Sequence, residues 1–402
     1  MKTKMMNVVV LALAFAFACF GCNDYPSPEE QMINNGEGTD TTGTSISYKE
    51  RAKLTYDMIQ THYAIGDLYR ENFPAQSGDN NQYSYLWPYV GMLTAGNVLF
   101  ELGYDEAILN KEFGGLEAYY DSRPNLPTYQ AYVTAIQSTD HYYDDSAIVA
   151  MELIDAYKNT NSPFYLERAI SVAEFIMSGE DDVLGGGLYW FEGQSAGCNS
   201  GPNCIKAANT TAYASFVTAE LYKLTNNPVY LNFAKRTYLW NYNTLRDPGD
   251  NLYYNSKHIT TQQIDATKWT YNAAMMIMAA VDLFEITGDQ LYITQATATA
   301  QSAFSEWTSV RNDRLFYPAN DSWFNTELMT SYIRLTEHVP QADQYVQVFI
   351  NNLDYAWDHA RNSQGQFYED WSGNNPGRYY WLLHQAALVE AYGRASLYLN
   401  EE

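Results

Sequence analysis

Thr160-Asn161-Ser162-Pro163-Phe164-Tyr165-Leu166, Thr225-Asn226-Asn227-Pro228-Val229-Tyr230-Leu231 and Thr287-Gly288-Asp289-Gln290-Leu291-Tyr292-Ile293 are three versions of one turn. Each lies between two helical patterns. The first pattern ends in the Thr and the second starts near the Pro or its equivalent, where a missing N–H costs a helix nothing. The three Thr residues stand roughly sixty residues apart, the length of a helical hairpin plus a returning loop, so the chain is an internal repeat. A second series alternates with the first: Gly187-Leu188-Tyr189-Trp190-Phe191, Asn251-Leu252-Tyr253-Tyr254, Arg314-Leu315-Phe316-Tyr317 and Gln366-Phe367-Tyr368 read as short aromatic strands or turns in the long loops between hairpins.

Working outward, apolar periodicity marks about twelve helical patterns, near 48–72, 84–103, 106–121, 144–159, 163–178, 206–225, 228–244, 268–287, 289–306, 322–337, 341–361 and 379–399. Six hairpins closed into a ring make an all-α (α/α)6 barrel, inner helices alternating with outer ones. An open α-solenoid would show the same pattern. Closure is preferred because the count is six and because the aromatic loops converge only on a ring. The Thr turns then lie at one end, and the aromatic loops surround a cleft at the other. With no low-complexity linker inside it, 47–402 reads as one catalytic domain.

Ahead of that domain, the basic Met-Lys-Thr-Lys, the apolar run Val8 to Phe20 and Gly21-Cys22 resemble a secretory signal ending in a bacterial lipobox. The apolar run is too short to cross a bilayer. The expectation is a signal peptide over 1–21, lipidation at Cys22 and a flexible tether over 22–46, rich in Pro, Glu, Gly, Asn and Thr. The mature protein would be secreted through the inner membrane and held by its lipid at the outer membrane or cell surface of a bacterium. Cys198 and Cys204 remain for the body, with five residues between them, and read as a small-loop disulfide, with free thiols or half a zinc site as alternatives.

The net charge of −24 argues against nucleic-acid or anionic-membrane partners and is compatible with a neutral ligand. The 36 tyrosines suggest walls that stack on the flat faces of sugar rings. Aromatics recur at the loop-side starts of alternate helices: Trp87 and Tyr89, then Trp269-Thr270-Tyr271-Asn272, Trp323, and Tyr379-Tyr380-Trp381. Any one of these could be ordinary core, but together they suit an oligosaccharide cleft. At the same end stands His141-Tyr142-Tyr143-Asp144-Asp145. Either Asp could simply cap the helix that follows. A cap needs only one, however, and neighbouring carboxyls at a buried helix mouth repel each other. One then holds its proton to higher pH, as acid/base chemistry requires. His141 could tune Asp144, contact substrate or make a structural hydrogen bond.

These residues resemble glycoside hydrolase family 76, the endo-α-1,6-mannanases. The likeness runs from Ser84-Tyr85-Leu86-Trp87-Pro88 through Tyr143-Asp144-Asp145 and Gly185-Gly186-Gly187-Leu188-Tyr189-Trp190 to Thr270-Tyr271-Asn272 and the last helix. It implies an (α/α)6 barrel and retention of anomeric configuration, with Asp144 as nucleophile and Asp145 as acid/base. Consecutive residues at a helix start also hold their carboxyls close, near the roughly 5 Å that retention needs. Expected sugar contacts are Trp87, Tyr89, His141, Tyr143, Tyr189, Trp190, Tyr271, Asn272, Trp323 and Tyr380. The sequence departs from the family pattern in Ser146-Ala147-Ile148-Val149 after the pair, in Lys206-Ala207-Ala208-Asn209 and at Ala273, which leaves open a related α-mannoside as substrate. Its six histidines lack metal-ligand spacing, and no nucleophile elbow or phosphate loop is present, so neither metal nor cofactor is expected. The expectation is a monomeric surface endo-mannanase with a polysaccharide substrate and glycan-uptake proteins as partners. The alternative is a catalytically silent glycan-binding protein on the same fold.

Overall fold

The repeated turns are built alike. At each, the Thr hydroxyl donates to the carbonyl four residues back: Thr160 to Ala156 at 2.7 Å, Thr225 to Leu221 at 2.6 Å and Thr287 to Leu283 at 2.5 Å. The same hydroxyl accepts the N–H two residues on, at 3.2 Å in all three. Between them, Asn161 (φ 56°), Asn226 (φ 55°) and Gly288 (φ 70°) take the left-handed conformation. Asn and Gly enter that region at least cost, which is why they recur at helix ends.

The computed structural model describes residues 46–76, 81–123, 125–193, 198, 201, 203–319 and 321–401. The expected signal peptide, Cys22 and nearly all of the tether lie outside the described residues. Among those described are twelve α-helices: α1 (Tyr48–His62), α2 (Leu86–Glu101), α3 (Glu106–Leu116), α4 (Tyr143–Thr160), α5 (Pro163–Ser178), α6 (Ala208–Thr225), α7 (Pro228–Thr244), α8 (Thr270–Thr287), α9 (Gln290–Trp307), α10 (Ser322–Thr336), α11 (Asp343–His359) and α12 (Leu382–Leu399). The even-numbered helices form the inner ring, in which α2 packs on α4, α4 on α6, α6 on α8, α8 on α10, α10 on α12, and α12 back on α2. That last contact closes the (α/α)6 barrel and rules out an open solenoid. Odd-numbered helices pack around the outside, each against an inner neighbour.

Burial follows from this layering. Inner α8 is buried without a break from Asn272 to Leu283, whereas outer α9 buries only Ile293, Ala296, Thr299, Ala300 and Ala303, one stripe at helical spacing. Towards the Thr turns the ring interior is polar. Lys158 of α4 meets Glu220 of α6 at 2.6 Å, Lys223 meets Asp282 of α8 at 2.6 Å, and Arg334 of α10 pairs with both acids. Four inner helices are thereby tied together by charge.

Two helices are shorter than their sequence patterns. α1 stops at His62 rather than 72, because Gly66 (φ 64°) turns the chain into a short hairpin, and α3 ends at Leu116, beyond which Tyr120–Asp121 pairs as a strand with Thr128–Tyr129. Five further strands bear on the site: β1 (Asn72–Phe73), β2 (Ile205–Ala207), β3 (Tyr254–His258), β4 (Ile264–Lys268) and β5 (Tyr380–Trp381). The order β2-β3-β4 forms an antiparallel sheet, and β1 pairs with β5. Cys198 and Cys204 are joined by a disulfide with Cα atoms 5.7 Å apart. Among the described residues no helix is long and apolar enough to cross a membrane.

Candidate active site

α4 begins at the end of the ring opposite the Thr turns, and its first turn holds Asp144 and Asp145. Asp144 is 8% exposed. Its Oδ1 accepts the Asp145 N–H at 3.0 Å, and its Oδ2 accepts Trp190 Nε1 at 2.9 Å and Asn209 Nδ2 at 2.8 Å. Among the described residues the Asp145 carboxyl has no comparable donors, and it faces the cavity. Burial pushes Asp144 up to about 6, against the pull of the Asn209, Asp145 and Trp190 donors. Burial and then the neighbouring Asp144 charge push Asp145 well above the usual carboxylate range. The two carboxyls are thus set apart, Asp144 held by three donors and Asp145 by none among the described residues, and such unequal settings are what a nucleophile and a general acid need.

Two loops fix this arrangement. Trp190 reaches Asp144 because Tyr142 and Phe191 bridge as strand partners and the Tyr143 N–H donates to the Trp190 carbonyl at 2.9 Å. Asn209 sits in the first turn of α6, directly after β2. Lys206 of β2 is fully buried, and its ammonium donates to Asp181 Oδ1 (2.7 Å), the Asp181 carbonyl (3.0 Å) and the Gly186 carbonyl (2.8 Å). It clamps the loop that ends in Trp190. The three glycines of that loop have φ of 77°, 127° and 74°, and a Cβ on Gly187 would come within 2.5 Å of the Trp240 ring. The close approach of Gly186 and Gly187 is thus to Trp240 of α7.

The pair opens into a cavity of about 1160 Å³, somewhat larger than ordinary small-ligand sites. Of the residues named from the sequence, Trp87, Trp190, Tyr271 and Trp323 line it, together with Tyr142, Asn209, Tyr213, Phe324 and Trp381. Trp87 meets Trp323 at 5.7 Å and Trp381 at 5.2 Å edge to face, and Phe324 lies 4.1 Å from Tyr271. These rings come from the starts of inner helices α2, α8, α10 and α12. Polar groups of the three-stranded sheet, Asn255, Ser256, His258 and Asp265, complete the lining.

The other expected sugar contacts lie elsewhere. Tyr89 is fully buried, its hydroxyl donating to the Glu112 carbonyl at 2.7 Å, because α2 turns that side towards α3. Tyr143 stacks on Phe175 at 4.7 Å, and Tyr189 donates to Asp181 at 2.8 Å on the strand face opposite Trp190. Asn272, next to Tyr271, is fully buried and does not line the cavity. His141 is held between Glu192 (3.0 Å) and Asp121 (3.2 Å), a structural brace off the cavity. Tyr380 faces a separate, smaller pocket.

A closed α/α barrel whose aromatic cleft holds two adjacent carboxyls in unequal settings suits a glycoside hydrolase. The chain belongs to glycosyl hydrolase family 76, whose pattern matches residues 47–391. It is 27% identical over 291 residues to the mannan endo-1,6-alpha-mannosidase DCW1 of Candida glabrata, covering 64% of this chain and 62% of that protein. The chain thus spans less than two thirds of the length of that curated relative. Among solved structures it is similar to the GH76 alpha-mannanase of Bacteroides thetaiotaomicron, with a TM-score of 0.79, 25% identity and coverage of 93% of this chain and 99% of that one. The fold also matches an inactive variant of the alpha-1,6-mannanase GH76A of Salegentibacter sp. HEL1_6, in which two adjacent aspartates are alanines, in complex with alpha-1,6-mannotetrose. There the TM-score is 0.73 at 20% identity, covering 88% of this chain and 100% of that one.

Proposed function

We propose that the chain is a retaining endo-α-1,6-mannanase, and the observation that carries this reading is the unequal setting of the adjacent carboxyls. Asp144, ionised and held by Asn209 and Trp190, attacks the anomeric carbon of a mannosyl unit. The C1–O bond breaks as Asp145 gives its proton to the departing oxygen. In the second half, Asp145, now a carboxylate, takes a proton from water, whose oxygen displaces Asp144 from C1 and frees the sugar with its original configuration. The size of the aromatic cavity, room for several sugar units, supports endo action. The names of the similar mannanases support the α-1,6-mannan backbone as substrate.

The basic and apolar N-terminus ending at Cys22 supports lipid attachment and a surface location, with fragments passing to glycan-uptake partners. The test is incubation of 47–402 with debranched α-1,6-mannan, following oligosaccharide release and the anomeric proton signal. Internal cleavage with α-configured first product is expected. A β-configured first product would overturn retention, and binding without any product would favour the silent binding protein. For the anchor, label from a radioactive fatty acid is expected in the full chain and not in Cys22→Ala. Equal labelling would refute it.

A further inference from the structure

Beside the catalytic cavity lies a second pocket, of about 340 Å³, lined by Asn72, Glu369, Asn375, Tyr379, Tyr380 and His384. The two share a wall, since Glu71 and Trp381 border both. That wall is braced. Trp381 Nε1 donates to Glu71 Oε1 at 3.1 Å, the Leu382 N–H donates to the Glu71 carbonyl at 2.8 Å, and Trp381 pairs with Asn72 across β1 and β5. In volume the second pocket stands at the small end for ligand sites, room for one or two sugar units and not for a polymer.

Its chemistry suits a neutral sugar. Amide, phenol and carboxylate groups together offer the mixed donors and acceptors that hydroxyls need. His384 is more than nine-tenths buried, yet its Nε2 makes no hydrogen bond and stands 3.6 Å from Asp321 Oδ1. That nitrogen is closed to solvent and its nearest carboxylate, Asp321, lies outside the pocket lining, so the imidazole bounds the pocket as a wall. No Lys or Arg is among the described lining residues, while Glu71 and Glu369 are. The Arg378 guanidinium packs on the Tyr379 ring, 5.3 Å from its centre, without lining the pocket. An anionic sugar would meet carboxylates with no cation to hold it.

We infer that this pocket is a subsite for a neutral glycosyl branch: while the mannan backbone lies in the catalytic cavity, a side-chain sugar reaches past the Glu71–Trp381 wall and docks there. The inference rests on the mannanase reading of the main cavity and extends its substrate to a branched mannan. The experiment compares kcat/KM on a branched mannan and on the same mannan after removal of its side chains, for wild type, Tyr379→Ala, Glu369→Ala and the space-filling Asn375→Trp. All three positions are at least partly open to solvent, so folding is not at stake. The ratio of branched to linear kcat/KM is expected to fall at least fivefold in each variant. An unchanged ratio, or no wild-type cleavage of the branched polymer alongside rapid cleavage of the linear one, would overturn the subsite and leave the mannanase reading intact. No product from either polymer would remove both.

Discussion

Replacing Asn209 with Ala tests how the Asp144 carboxylate is kept ionised. Burial lifts its pKa to about 6, and the Asn209 amide, 2.8 Å from Oδ2, is foremost among the groups holding it down. A hydrogen bond to a charged group contributes about 1.5–3 kcal/mol. At ~1.4 kcal/mol per pH unit, its loss should raise the Asp144 pKa by about one to two units. The sign is fixed: a nucleophile must be ionised, so activity rises with pH through this pKa. The acid limb of the kcat/KM profile is thus expected near pH 6 in wild type and about one to two units higher in Asn209→Ala. Activity of the variant at pH 6 falls on the order of tenfold or more and recovers partly as pH rises, until Asp145 loses its proton. The assay is initial-rate reducing-sugar release from debranched α-1,6-mannan between pH 4 and 9. A loss of the same factor at every pH, with the limb unmoved, would refute the reasoning.

The barrel interior gives a stability counterpart. Glu152 is buried and its pKa raised from 4.5 to about 8, so the stability it contributes is fully present below about 4.5 and is lost as pH rises through 8. Glu152→Gln should therefore gain on wild type by roughly 1.4 kcal/mol per pH unit over that window, read from urea unfolding at several pH values. Parallel pH profiles would contradict it. The disulfide supports the sheet wall: the Ile259 N–H donates to the Cys204 carbonyl at 2.9 Å, and His258 stands 3.2 Å from the Gly201 carbonyl. Closing so short a loop stabilises by only about 2 kcal/mol in the chain-entropy account. Reduction should leave a folded protein whose KM rises several-fold while kcat changes little, and an unchanged KM would separate the loop from substrate binding.

The barrel was legible because its signals are local and repeat. Thr side chains that back-bond, Asn or Gly that turns left-handed, and Pro that restarts a helix are sequence choices with direct backbone consequences. The Asp pair was legible for the same reason, as two carboxyls in one first turn. Which neighbouring aromatics face the cleft was harder, because facing is decided by fractions of a helical turn and by strand alternation. Trp87 lines the cavity, while Tyr89, about 200° further round α2, points into the core. Trp190 reaches Asp144 while Tyr189, on the other strand face, reaches Asp181. Trp381 and Tyr380 part in the same way. In the sequence Asn209 stands at the end of Lys206-Ala207-Ala208-Asn209, with nothing local to tie it to the Asp pair. The signal that could have found its role was its place at the loop-side start of an inner helix, equivalent to that of Asp144. Its contact with Asp144 spans 65 positions and is set by ring closure, which no local pattern encodes.

The most direct measurement of the central claim is product release from debranched α-1,6-mannan by 47–402 beside its Asp144→Asn and Asp145→Asn variants, repeated with an aryl α-mannoside bearing a good leaving group. Oligomannosides are expected from wild type alone, with Asp144→Asn silent on both substrates and Asp145→Asn regaining a first-step burst on the aryl glycoside, where no proton need be supplied. Near-normal release from polymer by either variant would contradict the roles assigned to the pair.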